Sequence, residues 1–193
     1  MEETKDYIFP SVDESSDGCG VLVGNHFITA GHVVAEHPFF LFIEGKMITL
    51  NKEDAIIYEY NLQEEGADIA IFTLNDYCSP LQLDNYKPTK GDVLESVSYE
   101  HIVESCSNSS SVFNSPYREW YEKHSCNATV EKVAGNFFQC NTSILLKPGS
   151  SGSPLLKDGK VCGILSCGKP GSNQCVFLSA SSVLKMLKDK SVI

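Results

Sequence analysis

Three short stretches of the chain carry residue types able to do nucleophilic chemistry, and they lie far apart. Pro148-Gly149-Ser150-Ser151-Gly152-Ser153-Pro154 sets a serine hydroxyl in a glycine-flanked turn. Attack on an acyl carbon needs such a hydroxyl, and glycine beside it lets backbone N–H groups converge on the developing oxyanion. Gly149 and Ser151 would supply those donors. Thr29-Ala30-Gly31-His32 places a histidine after an apolar stretch and a small-residue turn. A neutral imidazole held in one tautomer by a carboxylate is a general base near pH 7. Ala67-Asp68-Ile69-Ala70-Ile71-Phe72-Thr73-Leu74 puts an acid at the mouth of an otherwise apolar run. Burying that acid alone is costly, and a histidine neighbour would offset the cost.

Each stretch also has a plainer reading. Gly/Ser clusters are ordinary turn chemistry, a lone histidine is more often structural, and an aspartate can simply end a strand. His26 and His37 lie close to His32 without the small-residue turn before them. The combination carries more weight than the parts. The same three residue types occur in other chain orders on other folds, so the order His32, Asp68, Ser151 itself narrows the fold. A nucleophile elbow of the α/β-hydrolase kind requires glycine two residues after the serine, where Ser153 stands. That alternative falls.

The elements around these residues read as short β-strands separated by Gly, Pro, Asn and Asp. Gly20 to Ala30 reads as two strands joined at Gly24-Asn25. Phe39 to Ile43, Met47 to Leu50, Ala55 to Tyr60 and Ile69 to Leu74 continue the pattern. A connector rich in turn residues runs from about Asn75 to Lys90. Val93 to Tyr99, Ala128 to Val133, Phe137 to Ile144, Ser153 to Leu156, Val161 to Ser166 and Cys175 to Ser179 follow as strands. Ser105 to Ser115 is polar enough for a surface loop, and Arg118 to His124 reads as a helical turn. Only the C-terminus is clearly helical, with Val183, Leu184 and Leu187 at helical spacing and Ser181 or Ser182 as cap. Many short strands at this spacing imply barrels or a sandwich.

Bulk composition sets the class and some exclusions. The 193 residues are 42% hydrophobic and 21% charged, ordinary for a globular protein with a core. A formal net charge of -10 argues against a nucleic-acid partner, because phosphate binding needs concentrated Lys and Arg. No run approaches the roughly 18 apolar residues of a membrane span. The acidic start, Met1-Glu2-Glu3-Thr4-Lys5-Asp6, is followed by no apolar stretch and predicts a cytoplasmic protein. The eight cysteines show no C-x-x-C or zinc spacing, so no metal and no cofactor are expected. They read as free, buried thiols. Sequons at Asn108, Asn127 and Asn141 matter only in a secreted chain.

Taken together, these segments resemble the trypsin/chymotrypsin superfamily of serine proteases, in style nearest to compact HtrA-type members. The carrying residues are Thr29-Ala30-Gly31-His32, Asp68-Ile69-Ala70-Ile71, Asn141 through Leu156 around Ser151, and Gly163-Ile164-Leu165-Ser166-Cys167-Gly168. The resemblance spans about Gly18 to Lys188, with Asn75 to Val130 unmatched by motif. It implies an all-β fold of two packed six-stranded antiparallel β-barrels with a C-terminal α-helix. The expected division is an N-terminal extension over 1–17, a first barrel over 18–85, a second over 86–180 and the helix over 181–193. It also implies an endopeptidase acting on a protein or peptide substrate, with Ser151 as nucleophile, His32 as general base and Asp68 as the orienting carboxylate. Ser166, Cys167 and Gly168 would pair with the substrate backbone as an added strand.

Departures from the family pattern are informative. Val33 follows His32 where many secreted members have a cysteine, and Ser150 precedes the nucleophile where zymogen-activated members have aspartate. No Ile-Val-Gly-Gly-type start exists to pair with such an aspartate, so propeptide activation in that form is not expected. Leu145 falls where trypsin-type enzymes carry an acid, and Cys175 falls near a common pocket-lining glycine. The implied primary pocket is uncharged, apolar or small. Two alternatives stay open: a silent barrel used for binding, and a protease active only with a partner or in an oligomer.

Overall fold

The computed structural model describes residues 7–12, 17–105 and 117–193. Among these residues, thirteen strands and one α-helix follow in chain order. The N-terminal half holds β1 (Ile8–Pro10), β2 (Cys19–Val23), β3 (His26–Thr29), β4 (Phe39–Ile43), β5 (Lys46–Leu50), β6 (Ile57–Tyr60) and β7 (Asp68–Thr73). The C-terminal half holds β8 (Val93–Ser105), β9 (Tyr117–Ala134), β10 (Phe137–Thr142), β11 (Pro154–Lys157), β12 (Lys160–Gly168), β13 (Gln174–Ser179) and α1 (Ala180–Asp189).

The C-terminal half is a closed six-stranded antiparallel barrel in the order β10-β13-β12-β11-β8-β9. The N-terminal half pairs differently from the expected closed barrel. It forms a five-stranded sheet, β1-β2-β3-β7-β6, with β4-β5 as a separate hairpin. The seam between β1 and β4 carries one backbone bond, Val12 N–H to Phe40 O at 2.9 Å, and a bond from Phe40 N–H to the Ser11 hydroxyl. Pro10 ends β1 and has no N–H to extend a ladder there. β1 lies within the segment expected to precede the first barrel, and pairs Ile8 with Val21 and Pro10 with Cys19.

Alternation along the strands builds three apolar clusters. Ile69 and Ile71 of β7 face the seam between halves, where they join Val21, Ile28, Val161 and Ile164. Ala70 and Phe72, one residue out of phase, face the interior of the N-terminal half with Phe27 and Phe39. The Phe27 and Phe39 rings meet edge to face at 5.0 Å, a contact worth about 0.5–1.5 kcal/mol beyond area burial. Leu94, Phe138, Leu155 and Phe177 fill the barrel. α1 packs against β12 and β13 and adds Val183 and Leu187 to the seam cluster.

Two local expectations are corrected. Residues Arg118 to His124 are strand, not a helical turn, because β9 runs in unbroken register with β8 from Val93↔Thr129 to Ser105↔Tyr117. Ladder pairing overrides a segment whose own pattern is ambiguous. The cap of α1 is Ser179 rather than Ser181 or Ser182. Its backbone is still extended (φ -69, ψ 139), and its hydroxyl accepts from Ser182 N–H at 3.3 Å. Of the expected loop from Ser105 to Ser115, Ser105 ends β8, and residues 106–115 lie outside the described residues.

Candidate active site

His32 sits in a short 3₁₀ turn, Gly31–Val34, that follows β3. The turn packs directly on the neighbouring strands: a Cβ on Gly31 would lie 2.3 Å from Glu59 O and 3.0 Å from Ile69 N. Only glycine fits, which accounts for the small residue ahead of the histidine. Close packing brings His32 onto the first residue of β7. Its backbone N–H donates to Asp68 Oδ1 at 2.8 Å, and its ring Nδ1 lies 2.7 Å from Asp68 Oδ2. A carboxylate only accepts, so Nδ1 carries the hydrogen and Nε2 is left with its lone pair.

Asp68 is 1% exposed. A buried carboxylate persists only when its oxygens are bonded. The third donor comes from the other half: Ser166 Oγ donates to Asp68 Oδ2 at 2.6 Å. Ser166 lies at a bulge in β12 between the pairs Leu165↔Phe177 and Cys167↔Val176. Its side chain therefore serves the carboxylate, and only its backbone is available to a substrate. Tyr60 covers His32 from the side, with ring centroids 5.8 Å apart.

The serine turn is built by two glycines with positive φ. Pro148 and Gly149 (φ 97) form the centre of a tight turn closed by Ser150 N–H to Lys147 O at 3.2 Å. Gly152 (φ 88) lies so close to β2 and β3 that a Cβ there would meet Cys19 O at 2.0 Å. From the other side, Cys19 N–H donates to Ser151 O at 2.7 Å and the Cys19 thiol to Gly149 O at 3.2 Å. Burial pushes that thiol up to about 11, so it stays a neutral donor. Gly152 N–H goes to Leu165 O and Ser153 N–H to Ser150 O. The N–H groups of Gly149 and Ser151 donate to no backbone carbonyl among the described residues.

Beside the turn lies a mostly apolar cavity of about 310 Å³. It brings together five of the expected residues: Leu145, Gly149, Ser151, Gly168 and Cys175. Burial raises the Cys175 thiol, which acts as a small neutral wall residue. Cys167 is exposed and does not line the cavity. Pattern reading misses Leu165, Lys169 and Pro170 on the wall, and Tyr60 beside His32. The Pro170-Gly171 pair is the one signal that could have marked a loop there. β11 pairs with β12 only as far as Pro154↔Ile164, so the edge of β12 from Ser166 to Gly168 has no second strand against it among the described residues. Also among the described residues, no group of three or more His, Cys, Asp or Glu is placed to hold a metal ion. No helix among them is long and apolar enough to cross a membrane.

A family model described as a trypsin-like peptidase domain matches residues 18–164, a span that includes His32, Asp68 and Ser151. The chain belongs to the trypsin-like peptidase family. No curated protein sequence matches it. Solved structures share the fold of this peptidase domain at low identity. An inactivated protease paralogue of the scabies mite, SMIPP-S-D1, aligns at 18% identity and TM-score 0.68, covering 96% of this chain and 92% of its own. Neuropsin, a serine protease of mouse brain, aligns at 17% identity and TM-score 0.64, covering 99% and 96%. The serine protease of a human pathogenic astrovirus aligns at 18% and 0.58, covering 91% and 90%.

Proposed function

We propose that this trypsin-like peptidase is an active serine endopeptidase with Ser151 as nucleophile, His32 as general base and Asp68 as its orienting carboxylate. The observation that carries the reading is the pair of hydrogen bonds from His32 to a buried Asp68, which leaves Nε2 free to accept a proton. His32 Nε2 takes the Ser151 proton as Oγ attacks the scissile carbonyl, and gives it to the departing amine as the acyl-enzyme forms. Asp68 stabilises the imidazolium in between. Water then repeats the sequence in reverse to free Ser151. Gly149 and Ser151 N–H groups would hold the oxyanion.

Substrate backbone would add to the open edge at Ser166, Cys167 and Gly168, with its primary side chain in the cavity beside Leu145 and Cys175. An apolar wall without an acid favours uncharged residues there. The reading assigns His32 and Asp68 to the N-terminal half, over 18–85, and Ser151 to the closed barrel, over 86–180. The seven described cysteines are free thiols, which suits a reducing compartment such as the cytoplasm. Cleavage of a peptide library by intact protein and by Ser151→Ala tests the proposal. Wild type should cut after small or apolar residues, and the variant should lose turnover by about 10⁶ with its melting midpoint retained. Turnover by Ser151→Ala near that of wild type would refute it.

A further inference from the structure

Two cavities lie on opposite sides of one short strip of chain. Leu145, Leu146, Lys147 and Ser150 line both the specificity cavity and a second cavity of about 200 Å³. The far wall of the second cavity is supplied by the β8–β9 hairpin through Ser98, Glu100 and His124. Glu100 Oε1 lies 3.3 Å from Lys147 Nζ. Glu100 Oε2 lies 3.1 Å from His124 Nε2, close but without hydrogen-bond alignment. The Glu100 side chain is 20% exposed and that of Lys147 59%, so one end of the pair is held against the hairpin while the other is screened by solvent.

Lys147 is also the residue whose carbonyl closes the turn onto Ser150 N–H. Its side chain is tied to β8 while its backbone anchors the turn that ends in Ser151. The same hairpin reaches the turn with its other face, since Tyr99, His101 and Tyr121 share a small gap with Gly149.

We infer that Glu100 is a positioning residue for the proposed reaction: through Lys147 it fixes the turn that carries the Gly149 and Ser151 N–H groups. The inference rests on the serine-peptidase reading. Displacement of such donors by a fraction of an ångström lowers the rate while substrate binding persists. An ion pair to the hairpin thereby does the work of holding a turn that has cavities on both sides.

The test uses the full chain, a fluorogenic peptide and a fluorophosphonate probe. Glu100→Gln should lower both kcat and the labelling rate of Ser151 about tenfold, with KM within about twofold and an unchanged melting midpoint. Lys147→Met should lower kcat to a similar degree, and Lys147→Arg should keep it. The double variant Glu100→Gln with Lys147→Met should be no slower than the slower single, because the two act as one unit. Wild-type kcat and labelling in Glu100→Gln would overturn the inference alone, as would multiplicative losses in the double variant or a loss tracked by a lowered melting midpoint. A wild-type chain that neither labels nor cleaves would overturn the serine-peptidase reading and this inference with it.

Discussion

His32 grips Asp68 at two points, backbone N–H to Oδ1 at 2.8 Å and ring Nδ1 to Oδ2 at 2.7 Å. Two bonds from one residue to both oxygens fix the carboxylate plane as well as the ring. The backbone bond fixes the carboxylate, so that the ring's one bond to it has a fixed acceptor. The Ser166 hydroxyl adds a third bond, to Oδ2, from the opposite half of the molecule. The seam between halves is thus bridged at the carboxylate that holds the His32 ring.

Replacing Asp68 with asparagine should keep the shape and lose the chemistry. The amide would turn a donor toward Nδ1 and force the hydrogen onto Nε2. Peptide hydrolysis should fall by about 10⁴, with folding retained. Ser166→Ala should act mainly on stability, costing about 1–3 kcal/mol because a buried carboxylate loses a bond. Chemical denaturation and initial rates separate the two effects.

Gly152→Ala should be severe in both respects. Its positive φ alone costs a non-glycine residue about 1–3 kcal/mol. The added methyl would also collide with Cys19 O, which belongs to the backbone of β2 and cannot swing aside. Thermal melting should show a lowered midpoint. Ser151 should turn over slowly even in the folded fraction, because relieving the clash moves the turn.

Leu145→Asp tests the wall of the cavity. Leu145 is 46% exposed and lines the space beside Gly149 and Ser151, so a carboxylate there stays hydrated enough to ionise. Cleavage profiles should shift from small or apolar residues toward Lys and Arg. Lys147 and Lys169 on the same wall should hold the gain to about tenfold.

The thiols should divide by burial. Cys78 and Cys167 are exposed, whereas Cys19, Cys126, Cys140, Cys162 and Cys175 are buried. Burial pushes Cys140 and Cys162 up to about 12 and Cys19 to about 11, so their reactive thiolate forms are scarce at pH 8. Native alkylation read by peptide mass should mark Cys78 and Cys167 first and the buried five only after unfolding. Mild reductant should leave activity intact.

Much of the candidate site's geometry was legible because its parts are local. The glycine-serine turn, the small residues before His32 and the acid opening β7 each occupy a few consecutive residues. Strand β4 was readable because an apolar run with clear boundaries admits one reading. Contacts made by distant residues were not readable. Ser166 and Asp68 lie 98 positions apart, and nothing in the pattern of β12 marks the serine hydroxyl as a partner of that carboxylate. Glu100 and Lys147 are ordinary surface charges until the closed barrel brings β8 beside the turn between β10 and β11. The upper part of β9 misled because Arg118-Glu119-Trp120-Tyr121-Glu122-Lys123 lacks clean alternation. β1 escaped notice because it is three residues long and ends in proline.

The most direct measurement is fluorophosphonate labelling of the intact protein, followed by mass mapping of the adduct. A single adduct on Ser151, lost in His32→Ala and sharply slowed in Asp68→Asn, is the predicted result. An unlabelled Ser151, or labelling that proceeds equally well without His32, would contradict the account.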